Sequence, residues 1–231
     1  MIRASTSREH TNREYEGELR RLREQLLLMG AKGEDIINGS IRSLTDRDSA
    51  LAEQMIAADR KINQLEIDID EHCMQILARR QPVASDLRFL TTALKLVTDL
   101  ERMGDLGVNI CERVLELNGE PPLKPYVDMP NMAREVQEML HEALDAFVAA
   151  DVERAQHVIA RDRNVDAYYT QIFRELLTYM LSDPGTIEPA LDLILVSRHL
   201  ERIGDHATNV AEDVIFMVLA KDVRHHAAEG N

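Results

Sequence analysis

The apolar residues of this chain recur with the period of an α-helix along most of its length. In the segment at 94–117, "LKLVTDLERMGDLGVNICERVLEL", they form one line with spacings of three or four residues. The line comprises Leu96, Leu100, Met103, Gly107, Ile110, Val114 and Leu117. Such spacing is typical of a helix that packs one face in a bundle. No segment alternates with period two for long enough to predict a strand, so the pattern predicts an all-α protein.

Breaks in this pattern divide the chain into six predicted helices. Pro82 and Pro184 each interrupt a helical pattern, because proline cannot donate the backbone hydrogen bond that a helix requires. The segment "NGEPPLKPYVDMP" at 118–130 holds four of the seven prolines. We therefore predict three parts of the chain: a first three-helix bundle at 13–118, a Pro-rich linker at 119–130 and a second three-helix bundle at 131–221.

The two predicted bundles resemble each other in sequence. "LERMGD" at Leu100–Asp105 and "LERIGD" at Leu200–Asp205 differ at one position, and "MIAADRKIN" at 55–63 is similar to "VIARDRNVD" at 158–166. An internal duplication explains these matches and predicts two pseudo-symmetric bundles. It does not explain why both copies kept the same acidic residues.

Composition and charge narrow the classes of function. The 231 residues are 45% hydrophobic and 4% aromatic, and the formal net charge is −14. Nucleic acid and a bare anionic membrane surface are disfavoured as partners, because both attract basic proteins. Metal cations and basic surfaces of other proteins suit the charge better, although solubility alone is also a sufficient reason for it.

The cysteines and the apolar runs favour a cytoplasmic protein. Cys73 and Cys111 form no C-x-x-C motif and lie within apolar helical patterns, so we predict that both are core residues. The first residues contain no apolar run typical of a signal peptide. No segment approaches the ~18 apolar residues of a membrane span, so we expect contact with a membrane only through partners.

The repeated sextets carry the candidate ligands of a cation. On helical wheels their acids lie opposite the apolar line, and the preceding helix of each half carries a polar stripe of its own. The candidates in the first half are Glu101, Asp105, Asn109, Asp59 and Asn63, with Glu66 and Asp70 continuing the stripe; those in the second half are Glu201, Asp205, Asn209, Asp162 and Asp166. If the two helices are antiparallel neighbours, several carboxylates converge and repel one another unless a cation binds. Oxygen ligands of this kind suit hard or borderline cations.

A solvated polar face is the alternative explanation for these acids. Two glycines inside the sextets, Gly104 and Gly204, argue for something more, because a glycine within a helix costs ~1 kcal/mol relative to alanine. We expect a neighbouring helix or a bound group to approach closely at both glycines.

Other residues are weaker candidates for metal ligands or catalytic groups. Glu138 and His141 form one E-x-x-H motif, whereas a ferritin-like di-iron site needs two such motifs and further inward-facing glutamates, so we interpret it as a coincidence. His199 and His206 flank the second sextet; they could add nitrogen ligands, but we expect both at the surface. We find no phosphate-binding glycine loop and no nucleophile elbow, and therefore predict that the protein is not an enzyme.

The chain resembles the PhoU family of phosphate-transport regulatory proteins over roughly residues 15 to 225. The resemblance depends on "ILARRQPVASDLR", "DLERMGD" and "HLERIGDHATNVAE", in that order and spacing. It implies a cytoplasmic negative regulator of the bacterial phosphate-starvation response. It implies, as partners, the ATPase of the phosphate ABC transporter and a membrane sensor histidine kinase, and we also expect a homodimer.

The resemblance further implies metal ions or multinuclear iron clusters at E/D-x-x-x-D motifs. Three motifs match, at Glu101/Asp105, Glu201/Asp205 and Asp162/Asp166, while Asn63 replaces the second aspartate of the fourth motif, which begins at Asp59. We expect iron, manganese, magnesium or zinc. Two alternatives stay open: a metal-dependent or metal-storing helical-bundle carboxylate protein, and a helical scaffold without a ligand.

Overall fold

The computed structural model describes the backbone of residues 5–82 and 84–221, and the side chains of these residues from position 13 onward. The helices are α1 (Ser5–Thr45), α2 (Ser49–Ala58), α3 (Arg60–Arg80), α4 (Ala84–Leu117), α5 (Asp128–Ala149), α6 (Val152–Ser182) and α7 (Ile187–Leu219). A short 3-10 helix at Pro184–Thr186 precedes α7. No strand occurs in the described residues, and the prediction of an all-α protein is confirmed.

The second long helix of the first half is interrupted at Asp59, between α2 and α3. The backbone of Asp59 keeps helical angles, with φ −57° and ψ −31°, so the chain does not turn there. The corresponding position in the second half, Asp162, lies inside the continuous helix α6. If α2 and α3 are counted as one interrupted helix, the six predicted helices are all present, and Pro82 and Pro184 follow α3 and α6 as expected.

Aspartate side chains cap the N-termini of α2 and α6. The carboxylate of Asp48 accepts a hydrogen bond from the backbone N–H of Leu51 at 3.0 Å, and that of Asp151 accepts one from the N–H of Arg154 at 3.1 Å. Such side chains satisfy backbone donors that have no partner in the first turn of a helix. Asp48 and Asp151 therefore fix the positions at which α2 and α6 begin.

The apolar line that defined the α4 pattern is buried along its whole length. Each of its six side chains is 4% exposed or less, and Gly107 is buried with them. Cys73 and Cys111 are also buried, as predicted, and burial raises the pKa of both thiols to about 12. Neither cysteine is therefore a reactive thiolate at neutral pH.

The two halves share one core, because α4 packs along α7 and α1 packs on α5. The buried apolar residues form one cluster that includes both halves. Polar pairs also cross the α4–α7 contact: Lys95 Nζ lies 2.9 Å from Asp213 Oδ1, and Arg113 lies 3.4 Å from the Asp192 carboxylate. These pairs show that α4 and α7 run antiparallel.

The connection between the halves, at 118–127, is fastened to the helices. The guanidinium of Arg47 donates to the carbonyl of Asn118 at 2.9 Å and also to that of Glu120. Lys124 is buried and pairs with the carboxylate of Glu175 on α6. The proline-rich segment therefore packs against both halves.

Candidate functional site

The acidic residues of each sextet lie where the third long helix of a half meets the second. A Cβ atom added at Gly104 would lie 3.2 Å from Asp59 Oδ1, and one added at Gly204 would lie 3.7 Å from Asp162 Oδ1. Corresponding glycines thus meet corresponding aspartates in the two halves. The expectation of a close approach by the neighbouring helix is confirmed at Gly104, where the added Cβ would lie 2.9 Å from Ile62 Cδ1. At Gly204 it would make only an ordinary contact, 3.4 Å from Val165 Cγ1. We call the groups around Glu101 and Asp59 cluster 1, and those around Glu201 and Asp162 cluster 2.

Cluster 1 contains a half-buried aspartate with one unpaired oxygen. Asn63 Nδ2 donates to Asp59 Oδ2 at 2.9 Å, whereas Asp59 Oδ1 is buried and has no hydrogen-bond partner. Burial raises the pKa of Asp59 against the lowering effect of the Asn63 hydrogen bond, and the charge of Asp105 raises it further. Ionisation of Asp59 is therefore less favourable than ionisation of a solvated aspartate.

Glu101 connects the acids of α3 and α4. It is half-buried, and burial followed by the charges of Asp105, Glu66 and Asp59 raises its pKa. Glu66, which the sequence placed on the same stripe, is therefore a member of cluster 1. Asn109 is half-buried and lies one helical turn beyond Asp105.

Cluster 2 repeats this electrostatic pattern between α6 and α7. Burial, and then the charges of Asp166 and Asp205, raise the pKa of Asp162. Burial and Asp205 also raise the pKa of Glu201, although Arg198 donates to Glu201 Oε1 at 2.6 Å. Glu201 Oε2 is buried and has no hydrogen-bond partner. Each cluster thus holds mutually repelling carboxylates, one of which has a buried oxygen without a hydrogen-bond partner.

The outer members of the two clusters face solvent. Asp105, Asp166 and Asp205 are exposed. Asn209 is exposed as well, and it lines a cleft between α4 and α7 together with Lys95. The acids therefore lie at the surface edge of the helix contacts and not in the bundle core.

The chemistry of both clusters suits a hard cation, but neither is a preformed metal cage. No three His, Cys, Asp or Glu side chains among the described residues converge in a way that could hold a metal ion. The unpaired oxygens of Asp59 and Glu201 and the mutual repulsion of the carboxylates are nevertheless features that a cation would satisfy. Binding one would require the carboxylates to rotate toward a common point.

The expectation of a surface position for His206 is wrong. His206 is buried, and its Nδ1 lies 2.8 Å from Asp99 Oδ1 on α4, close enough to hydrogen-bond with it. α4 of the other half covers this side of α7, a contact that the period of a single helix cannot predict. His199 is half-buried, and burial lowers its pKa.

The E-x-x-H motif forms part of a structural ion-pair group. Glu138 pairs with Arg161 of α6, which also contacts Glu135 at 2.9 Å and Glu142 at 3.1 Å. His141 is exposed and lies 3.2 Å from a carboxylate on α1. The motif therefore does not face a core metal site. Sequence reasoning missed this group, whose signal is three glutamates on one face of α5.

None of the helices in the described part of the chain is long and apolar enough to cross a membrane.

The fold and its clusters define a class of helical proteins built from two copies of a three-helix unit, each with an acidic group between its second and third helices. The PhoU domain model matches residues 26–114 and 129–214, one match in each half. The chain belongs to the PhoU family.

The sequences of known relatives align with nearly the whole length of this chain. A phosphate-specific transport system accessory protein PhoU homolog of Pseudomonas aeruginosa is 44% identical over 227 residues, covering 97% of this chain and 93% of that protein. The phosphate-specific transport system accessory protein PhoU of Escherichia coli is 36% identical, covering 94% and 90%.

Solved structures agree with this assignment. The crystal structure of PhoU from Pseudomonas aeruginosa matches with a TM-score of 0.86 at 44% identity and covers 90% of this chain and 100% of that one. The phosphate transport system regulatory protein PhoU from Streptococcus pneumoniae matches with a TM-score of 0.84 at 27% identity, covering 90% and 99%.

Proposed function

We propose that this protein is an accessory regulator of phosphate-specific transport and a negative regulator of the phosphate-starvation response. The observation that carries the proposal is full-length membership of the PhoU family, with relatives named as accessory proteins of that transport system. The protein acts without catalysing a reaction. It works in the cytoplasm as an adaptor between the ATPase of the phosphate ABC transporter and a membrane sensor histidine kinase, and it forms a homodimer.

The surface chemistry supports an adaptor role. The net charge of −14 and the exposed carboxylates of both clusters complement basic surfaces on partner proteins. Complementary charge accelerates association and selects among partners more than it adds to affinity. A protein that must engage and release partners as phosphate changes benefits from both effects.

Deletion of the gene in its host tests this function. We expect the deletion strain to express phosphate-starvation genes in phosphate-rich medium, measured with a reporter for a starvation-induced promoter. Returning the wild-type gene should restore repression. Normal repression in the deletion strain would contradict the proposal.

Both clusters are proposed to bind divalent or trivalent metal ions. Glu101, Asp105 and Asp59 would supply the carboxylates of the first site, and Glu201, Asp205, Asp162 and Asp166 are their counterparts in the second. Asn63 would weaken the first site, since an amide carries no charge. Iron, manganese, magnesium and zinc are the candidate metals, and a bound cation would neutralise the repulsion among the carboxylates.

A metal-storing carboxylate protein remains the second candidate. Its diagnostic feature would be carboxylates that face the bundle core. The position of the sextet acids at the surface edge of the helix contacts weighs against it. Oxidation of ferrous iron by the purified protein would support this second candidate.

A further inference from the structure

The two halves differ in their exposed apolar residues, although their folds and acidic clusters correspond. At the end of α6 and the start of α7, six apolar side chains are between 41% and 79% exposed. They are Phe173, Leu177 and Leu181 on α6, and Ile187, Leu191 and Leu195 on α7. We call these six residues the tip patch.

The tip patch is one surface that extends over two helices. α6 and α7 are packed neighbours joined by a short connection, and the guanidinium of Arg198 lies 5.8 Å from the ring centroid of Tyr169. This contact sets an antiparallel register in which Leu177 lies level with Leu191. The ring of Tyr169 also lies 6.5 Å from that of Phe173, which extends the apolar surface toward cluster 2.

The first half serves as an internal control for the tip patch. At the corresponding positions it carries Asp70, Met74, Ala78, Leu87, Thr91 and Lys95. Met74 and Leu87 are exposed there too, but polar residues hold three of the six positions, so the duplicated helices pack with a smaller apolar surface at this place. An exposed apolar patch that the fold does not require is typical of a binding surface.

Charges at the ends of the tip patch indicate the kind of partner. Cluster 2 lies at one end, and Asp183 and the exposed Glu188 lie at the other. Arg163 and Arg174 follow its outer side along α6. A second copy laid along the patch in either direction would place an acidic end on an acidic end, which costs free energy, whereas a partner with basic ends would be complementary.

We propose that the tip patch is the docking surface for an amphipathic α-helix of another protein. The partner helix lays its apolar face across α6 and α7 and places lysine or arginine side chains at the acidic ends. At ~1.5 Å per residue, the distance along α6 from Leu181 to Asp162 is roughly 28 Å, which a helix of about 19 residues spans. Helices of this kind are recognised through apolar residues spaced three or four apart. The proposal goes beyond the proposed function and holds whether or not the partner belongs to phosphate transport.

Site-specific photocrosslinking in host cells tests the proposal. A benzophenone amino acid is introduced into the full chain at Leu177 or, as the matched control, at Met74, which holds the corresponding position in the first half and is 60% exposed. Cross-linked peptides are sequenced by mass spectrometry. We expect about tenfold more adduct at Leu177 than at Met74, with a partner peptide that has helical apolar spacing and basic ends.

A second variant separates docking from simple exposure. Leu191→Ser, combined with the crosslinker at Leu177, should lower the adduct yield about tenfold while leaving the thermal unfolding of the protein unchanged within about 2 °C. Adducts with a second copy of this chain would overturn the proposal. So would equal yields at the two positions, absence of an adduct, or a partner peptide without apolar helical spacing and basic residues.

Discussion

At the scale of single residues, the two sextet glycines leave different amounts of space between the helices of their halves. A Cβ at Gly104 would lie 2.9 Å from Ile62 Cδ1 and 3.2 Å from Asp59 Oδ1. At Gly204 the nearest atom would be Val165 Cγ1 at 3.4 Å, an ordinary contact. The same helix contact therefore occurs in both halves, but only the copy at Gly204 has room for the methyl group of an alanine.

Alanine substitutions at the two glycines should therefore have opposite effects. Gly204→Ala should raise the free energy of unfolding by up to about 1 kcal/mol, because alanine favours the helix and the added methyl fits. Gly104→Ala should lower it by up to about 2 kcal/mol, since overpacking against the buried Ile62 side chain costs ~1–3 kcal/mol and offsets the ~1 kcal/mol that alanine contributes to the helix. Urea unfolding followed by circular dichroism measures both changes. Equal stabilisation by both substitutions would show that the Gly104 contact does not restrict the helices.

The cluster carboxylates affect the pH dependence of stability in the opposite direction from acids that form ion pairs. Burial and neighbouring charges raise the pKa values of Glu101 and Glu201 above the usual glutamate value. A group whose pKa is raised by folding binds protons more tightly in the folded state, so stability falls as pH rises from the ordinary pKa through the raised one. Without a cation, both clusters therefore oppose folding at neutral pH.

At the scale of helices, one arginine holds α6 against α5. Arg161 is 14% exposed and contacts Glu135, Glu138 and Glu142, of which Glu135 is 18% exposed. Its hydrogen bond lowers the pKa of Glu135 against the raising effect of burial. Asn164 also donates to Glu135 and His157 lies 2.8 Å from Glu142, but Arg161 contacts all three glutamates, so its removal would leave their mutual repulsion without the arginine charge.

Arg161→Met should lower the free energy of unfolding by about 1–3 kcal/mol at neutral pH, less than for a fully buried pair because Glu138 faces solvent. The lowered pKa of Glu135 means that this contribution is present above the ordinary glutamate pKa. It is lost as pH falls through the lowered value, so the difference from wild type should shrink below about pH 4.

Urea unfolding at a series of pH values measures the Arg161→Met effect. Arg163→Met is the control, since Arg163 is exposed on the same helix and should change stability by less than about 0.5 kcal/mol. A loss that does not depend on pH, or an equal loss in the control, would show that the Arg161 ion pairs do not stabilise the α5–α6 contact.

Periodicity predicted the elements of this fold better than the contacts between its halves. The line from Leu96 to Leu117 was sufficient to identify α4 and its buried face, because core packing repeats with the helical turn. The interruption at Asp59 escaped prediction because the backbone remains helical there. The Asp99–His206 pair escaped because it forms between helices of different halves, which a single helical pattern does not relate.

The sequence predicted those residues of the candidate site that occur in both halves of the duplication. Retention of Glu101 and Asp105 as Glu201 and Asp205 directed attention to these acids, and the structure places them beside the aspartates of the preceding helices. That the described residues hold no preformed metal cage could not be predicted, because the orientation of the carboxylates depends on side-chain rotation that neither periodicity nor spacing specifies. The role of Arg161 was missed for a similar reason, since its glutamate partners belong to another helix.

At the scale of the whole molecule, α4 and α7 connect both acidic clusters to the shared core. Glu101 belongs to α4 and Glu201 to α7, and these two helices form the contact between the halves. A cation at cluster 1 would link α3 to α4, and a cation at cluster 2 would link α6 to α7. Binding at either site should therefore stabilise the whole chain and appear in its global thermal unfolding.

The central claim is that the acids of the repeated sextets hold a cation, and thermal unfolding of a quadruple variant tests it most directly. The variant combines Glu101→Gln, Asp105→Asn, Glu201→Gln and Asp205→Asn. It should fold, because no apolar contact is removed, and should be slightly more stable than wild type without metal, since like charges four residues apart destabilise a helix. The charge-matched control neutralises four exposed carboxylates elsewhere, at Asp46, Glu53, Glu153 and Glu188.

Melting temperatures are compared with and without added Mn²⁺ or Fe²⁺. A ligand that binds only the folded state adds roughly 2.7 kcal/mol of stability at a hundred times its dissociation constant. Wild type and the charge-matched control should therefore show a clear rise in melting temperature with metal, and the quadruple variant should show none. Equal rises in wild type and the quadruple variant, or no rise in wild type, would contradict the claim that these acids are metal ligands.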